Sequence, residues 1–363
     1  MLKIRLNSRK IKAFISRYKI SGGIILVSLT IFLGFVIYLQ TQNVAAAPSI
    51  KRVVASKAVK EVKVIGVPAP LTGIPVDKSL ADRTALGAII ENFPDARPQS
   101  GYNEADLVYE TLAEGGITRT MAVYQSQNSK EIGPIRSART YFVDWLSEVG
   151  GIFAHVGGNA DALDLIKEIK IPDLNQFAYG DYYRRSTDRF APHNVYTSTE
   201  KLYSAAKVAG YSLTAPPTAI TFKDDIALKS RPATQSININ FSGPDYAVSY
   251  AYDPKDNGYL RSVAGEPCKD LNSGIQVKPK NVAVQFTSIT PYINYAKEQG
   301  VQIQTTGNGL GYVFLDGKPI NATWTKDSRT SRTRFFDSEN KEILFNKGQT
   351  WFEIVPTGQS VTY

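Results

Sequence analysis

The chain has 363 residues and a formal charge of +9, long enough for two cores beyond any membrane segment at about 100–200 residues per domain. Its charge is uneven: residues 1–39 carry seven Lys/Arg and no Asp/Glu, and residues 40–63 carry five Lys/Arg against Glu61 alone. The remainder holds thirty basic and thirty-two acidic side chains, which argues against a nucleic-acid-binding surface despite the high overall charge.

In chain order, a basic tail over residues 1–19 is followed by "ISGGIILVSLTIFLGFVIYL", residues 20–39, twenty residues without a charge. At 1.5 Å per residue this run spans a hydrocarbon core of about 30 Å and predicts a single transmembrane helix. The positive-inside rule then leaves the N-terminus cytoplasmic and the bulk of the chain extracytoplasmic. The alternative is a cleaved signal peptide, with release near Ala47 in "NVAAAPS". No cysteine stands at the end of the apolar run, so N-terminal lipidation is not expected; the one cysteine is Cys268, which also rules out an intramolecular disulfide. Residues 40–66, rich in Ala, Ser and Lys with little periodicity, read as a linker.

Residues 67–215 alternate strand-like and helix-like patterns, which predicts an α/β domain. "ALGAIIENF", "TRTMAVYQS" and "GIFAHVGG" read as strands; "SARTYFVDWLSEVGG", "NADALDLIKEI" and "TEKLYSAAKVAG" read as helices. "EADLVYETLAEGG" also reads as a helix, closed by a glycine pair suited to a C-cap. Residues 216–363 change texture to short alternating runs such as "SININF", "YAVSYAY", "NVAVQF" and "TWFEIVP", which predicts a mainly β domain with "LDGK" as a hairpin turn and "PYINYAKEQG" as its one helix. "GNGLGYVF" resembles a dinucleotide-binding glycine pattern only superficially, because its last position lacks glycine and no helix follows.

The first domain gathers unusual polar residues near element ends, where α/β folds build sites. Asn92 and Arg97 follow a strand. Glu110 and Glu114, four apart, fall on one face of the expected helix, where they could act as acid and base or as a solvated face. In "IGPIRSARTYFVDW", Arg136 and Arg139 stand at a helix start, where the macrodipole disfavours cations, and Ser137 is placed to cap. Guanidinium groups there call for an anion: a ligand's phosphate or carboxylate, or one of the protein's own acids. Arg119, Arg189 and Asn194 lie in similar stretches. The only two histidines, His155 and His193, are candidates for proton transfer, against the blander reading of hydrogen-bonded core or loop positions. They are thirty-eight positions apart with no ligand spacing, so no metal is called for, and no motif implies a cofactor.

The stretches "IIENFPDARPQSGYNEADLVYETLAEGGITRTMAVYQS", "IGPIRSARTYF", "HVGGN" and "RFAPHNVYTS", with the C-terminal run "GNGLGYVFLDGKPINATWTKDSRTSRTRFFDSENKEILFNKGQTWFEIVP", resemble the YerB-like family of bacterial exported proteins over about residues 67–356. The resemblance implies a two-domain protein on the outer face of the cytoplasmic membrane, often a lipoprotein, with no established reaction. It singles out Asn92, Arg97, Glu110, Glu114, Arg119, Arg136, Ser137, Arg139, His155, His193 and Asn194 as positions matching the family pattern. This chain departs from the lipoprotein form by replacing the lipid-bearing cysteine with a hydrophobic anchor.

The function expected from these residues is binding of an anionic cell-envelope ligand (peptidoglycan, teichoic polymer or lipid-linked phosphate) in a cleft lined by Asn92, Arg97, Arg119, Arg136, Ser137, Arg139, Arg189 and Asn194. The first rival is an envelope-polymer hydrolase or phosphotransferase using Glu110 or Glu114 with His155 or His193. The second is a scaffold for envelope enzymes, which predicts that the arginines pair internally.

Overall fold

Ten strands drawn from both halves of the chain form one central sheet in a computed structural model that describes residues 66–363. The basic tail, the expected membrane helix over residues 20–39 and nearly all of the linker lie outside the described residues. Among the described residues, no helix is long and apolar enough to cross a membrane.

The N-terminal half supplies strands β1 (Leu86–Glu91), β2 (Leu107–Leu112), β3 (Thr118–Tyr124), β4 (Ile152–His155) and β5 (Asp173–Asn175), and helices α1 (Thr140–Val149), α2 (Ala160–Ile169) and α3 (Thr199–Val208). The C-terminal half supplies β6 (Ser236–Asn240), β7 (Ala247–Asp253), β8 (Gly258–Val263), β9 (Glu266–Pro267), β10 (Asn281–Thr287), β11 (Ile289–Ile293), β12 (Gln299–Ile303), β13 (Gly307–Leu315), β14 (Lys318–Lys326), β15 (Arg334–Phe336), β16 (Thr350–Pro356) and β17 (Val361–Thr362). The central order is β15-β14-β13-β10-β16-β2-β3-β1-β4-β5, so the C-terminal β16 pairs in parallel with β2 of the first half. A second sheet, β9-β8-β7-β6-β17, covers one face of the central sheet.

Both faces of the central sheet are buried, which explains strands that read as continuous apolar runs. Ile90, Val108, Val284 and Trp351 pack toward the second sheet and α3. Ile89, Leu107, Tyr109, Met121 and Phe352 pack toward α1 and α2 through Phe142, Trp145, Leu146 and Ala162. Helix α1 ends at Gly150 in a left-handed conformation, as its Gly-Gly stop predicts. Helix α2 is capped by Asn159, whose side chain accepts from the Ala162 N–H at 3.3 Å.

Three expectations are corrected. The "DLVYETL" run is a strand, β2, because its residues are buried on alternate sides and find partners on β3 and β16, which outweighs the helical spacing. Glu110 and Glu114 therefore share no helical face: Glu110 is in β2 and Glu114 in the turn after it. "PYINYAKEQG" forms part of the hairpin β11–β12, turned at Asn294–Glu298 with Lys297 at positive φ, where Ile289 pairs with Ile303. Helix α1 begins at Thr140, with Arg139 at its N-cap and no side-chain cap, so Ser137 does not cap. Arg136 and Ser137 instead lie in an extended segment bridged to β1 at Ile90–Ile135 and to Gly158 at Ala138.

Candidate functional site

Strands β1 and β2 end, and β3 begins, at the same edge of the central sheet, where Glu91 is the cross-strand neighbour of Arg119 and Glu110 that of Thr120. Side chains alternate across a sheet, so the sequence candidates that meet at this edge are divided between its two faces.

On the helix face, Glu91 is buried at 1% exposure and forms an ion pair with Arg136; the same Oε2 is 3.3 Å from His193 Nδ1. The His193 ring stacks on Phe93 with centroids 5.0 Å apart. Arg139 holds Glu114 with both carboxylate oxygens, at 2.5 and 2.8 Å. Burial opposes both charges, but the Arg139 hydrogen bonds keep the Glu114 carboxyl below its usual value, and Glu114 in turn holds Arg139 above its own. Arg119, buried, donates to the Ser137 carbonyl at 3.1 Å and lies 3.9 Å from Glu114. The anion demanded by Arg136 and Arg139 is thus the protein's own Glu91 and Glu114.

On the second-sheet face, Glu110 is fully buried and accepts from Arg261 at 2.5 Å, Thr118 at 2.7 Å and Asn92 at 3.1 Å. Glu353 sits beside it in register on β16 and accepts from the Tyr250 hydroxyl. Burial, together with the adjacent Glu110 charge, pushes the Glu353 carboxyl up to about 8. Arg261 stacks over the Trp351 ring at 4.5 Å.

Asn92 links this network to Arg97: its amide oxygen accepts from Arg97 Nε at 3.0 Å and from Gln99 at 2.9 Å. Arg97 also donates to the Asn92 and Asp245 carbonyls at 2.9 and 2.7 Å. Among the described residues it has no carboxylate at ion-pair distance, and burial lowers its guanidinium from the ordinary value. It opens on a cavity of about 560 Å³ lined also by Gln99, Val263, Glu266, Cys268 and Lys269. Arg189 donates to the carbonyls of Ala96 and Pro98, fastening its loop to the Arg97 turn. Asn194 closes that loop on itself, accepting from Arg185 at 2.9 Å and donating to Ser186 at 3.1 Å.

His155 closes β4 at the same end of the sheet, where the next residue's N–H donates to the Arg136 carbonyl at 3.0 Å. Its Nδ1 faces the Gly157 carbonyl and its Nε2 faces Asp173, both at 2.7 Å, so neither ring nitrogen is open to a substrate. Among the described residues no three His, Cys, Asp or Glu side chains gather as metal ligands. Sequence reasoning missed Glu91, Arg261 and Glu353. Each stands in a run that reads as an ordinary strand, and its partner comes from elsewhere in the fold: Arg136 and His193 for Glu91, and the facing sheet for Arg261 and Glu353.

Family models described as the N-terminal and C-terminal domains of a protein of unknown function (DUF3048) match residues 71–212 and 237–352. The "Putative lipoprotein YerB" of Bacillus subtilis (strain 168) is 32% identical over 297 residues, covering 79% of this chain and 86% of the relative. The chain belongs to the YerB family. The crystal structure of the YerB protein from Bacillus subtilis superposes with a TM-score of 0.74 at 30% identity, covering 82% of this chain and 100% of that one. The order of an α/β region followed by a mainly β region is therefore that of a YerB fold, and in this YerB-family chain the two matched regions share the central sheet.

Proposed function

We propose that this YerB-family chain is an extracytoplasmic binding module, held at the membrane, that takes an anionic cell-envelope ligand at Arg97. The observation that carries the reading is the contrast among the arginines. Arg119, Arg136 and Arg139 lie against Glu91 or Glu114, whereas Arg97 and Arg189 are bonded only to neutral acceptors, and of these two Arg97 is half-buried and lines a cavity whose wall holds both Lys269 and Glu266. A partly buried guanidinium with no carboxylate in hydrogen-bond contact gains from an incoming carboxylate or phosphate. Anchoring is assigned to residues 20–39. The Bacillus relative's description as a lipoprotein supports a membrane-held protein, and in this chain the single cysteine is the buried Cys268. Peptidoglycan, teichoic polymer and lipid-linked phosphate are the ligands of matching charge.

Binding is favoured over catalysis because three of the four acid–base candidates, Glu110, Glu114 and His155, have both polar side-chain atoms engaged; a catalytic reading would rest on His193, which lies 3.3 Å from Glu91. The scaffold reading stands second, supported by the internal pairing of Arg119, Arg136 and Arg139. Equilibrium binding of the Lys63–Tyr363 unit to purified envelope fractions separates the two. Saturable binding to one fraction that Arg97→Gln weakens about tenfold or more, with folding intact, is the expected outcome. Equal binding by both proteins, or none, removes the Arg97 site and leaves the scaffold.

A further inference from the structure

The Arg97 cavity carries charges of both signs. It lies between the turn at residues 94–99, after β1, and the turn that joins β8 to β9, where Ala264 and Gly265 stand at positive φ, 53° and 80°. That second turn sets Glu266, exposed, on the edge strand of the second sheet. Arg97 and Lys269 are the cations of the wall and Glu266 is its carboxylate. Among the described residues none of the three has an ion-pair partner. The apolar part of the wall is Pro94, Pro98, Val263, Ala264 and Pro267, short side chains and rings of fixed geometry that leave room for small aliphatic groups.

Gln99 lines the same cavity at 2% exposure, and the protein uses only half of its amide. The amide nitrogen donates to the Glu91 carbonyl and to the Asn92 side-chain oxygen, both at 2.9 Å, which fixes which end of the amide is which. The amide oxygen accepts from no donor among the described residues. A polar atom so placed gains from a ligand N–H. The residues of this wall therefore offer two unmatched acceptors, Gln99 and Glu266, beside two unmatched cations. A phosphate polymer answers the cations alone and brings a like charge toward Glu266. A ligand that carries an ammonium and a carboxylate, with amide N–H groups between them, answers all four.

We infer that the ligand of this cavity is a short zwitterionic peptide, held by its free carboxylate at Arg97 and by its free amine at Glu266. Gln99 accepts from a peptide N–H, and the proline, valine and alanine walls take methyl-sized side chains. The volume of about 560 Å³ is that of a site for such a molecule. This inference rests on the Arg97 reading and narrows it, from anionic envelope ligands in general to the peptide portion of peptidoglycan.

The test is isothermal titration calorimetry of the compact Lys63–Tyr363 unit with tri-alanine, its N-acetyl derivative and its C-terminal amide. The expected result is saturable binding of tri-alanine, with each blocked peptide about tenfold weaker or more. Glu266→Gln is expected to bind the free and the acetylated peptide equally while still discriminating against the amide. Arg97→Gln is expected to lose the discrimination against the amide. Thermal melts establish folding; Glu266 is exposed, so Glu266→Gln decides the matter if Arg97→Gln does not fold. The inference is overturned by absence of saturable binding, by an acetylated peptide that binds as tightly as the free one, or by discrimination against acetylation that survives Glu266→Gln. If Arg97→Gln weakens binding to an envelope fraction while blocking the amine has no effect, the anion site stands and the zwitterion alone falls. If Arg97→Gln leaves envelope binding unchanged, both fall.

Discussion

Glu110 and Glu353 occupy matching positions on adjacent parallel strands, both sealed from solvent, with Arg261 of the second sheet donating to Glu110. One cation beside two buried carboxylates leaves Glu353 as the group that keeps its proton, and its carboxyl is raised from 4.5 to about 8. The folded protein then holds a proton that the unfolded chain has released. The stability this gives is complete below about pH 4.5 and is lost as pH rises toward about 8. Urea melts across that window are expected to show wild-type stability falling as pH rises and Glu353→Gln removing this part of the fall. A slope unchanged in the variant would assign the titration elsewhere. At the same scale, the sequence marks Asn92, Arg97 and the motif arginines as unusual, but the choice between ligand and internal partner rests on Glu91 and Glu114. Their side chains reach Arg136 and Arg139 only after the strand ends and the bridging segment are assembled.

The glycines of "GNGLG" acquire their meaning at the level of the element. They lie in β13, between β10 and β14, and open no helix. A Cβ at Gly311 would stand 2.5 Å from the Val284 carbonyl of β10, and one at Gly309 would stand 2.7 Å from the Trp324 indole nitrogen of β14. Gly311→Ala is therefore expected to force the strands apart and to destabilise the protein by about 1–3 kcal/mol in denaturant melts. A neutral substitution would mean that β10 yields without cost. Periodicity identifies α1, α2 and α3 because each keeps one polar face. It misassigns β2 and the β11–β12 hairpin: β2 is buried on both faces, and the hairpin's "YINYAKEQ" mimics helical spacing.

Across the whole molecule, the expected boundary near residue 215 coincides with a change in texture and with the gap between the two matched family regions. It does not coincide with a break in the sheet. Strand β16 lies between β2 and β10, and apolar side chains of both halves share the two cores. A fragment ending at residue 215 would expose the β2 edge and one face of the central sheet, surfaces that promote aggregation. Thermal unfolding of the Lys63–Tyr363 unit is accordingly expected as one cooperative transition, and the isolated N-terminal half as insoluble or lacking a cooperative melt. Two separated transitions would show that the halves are stable apart.

The sequence by itself determined the membership in the YerB family, the α/β-then-β order, the three long helices and the short list of polar residues from which any site must come. These rest on local periodicity and on runs of residues that survive without knowledge of the fold. The tertiary structure alone decided which arginines are neutralised, that Glu110 is locked against Arg261, and that Arg97 faces a cavity. Each of these depends on partners between 5 and 151 positions away in the chain, and a hydrogen bond across such a separation leaves no periodic trace in the sequence.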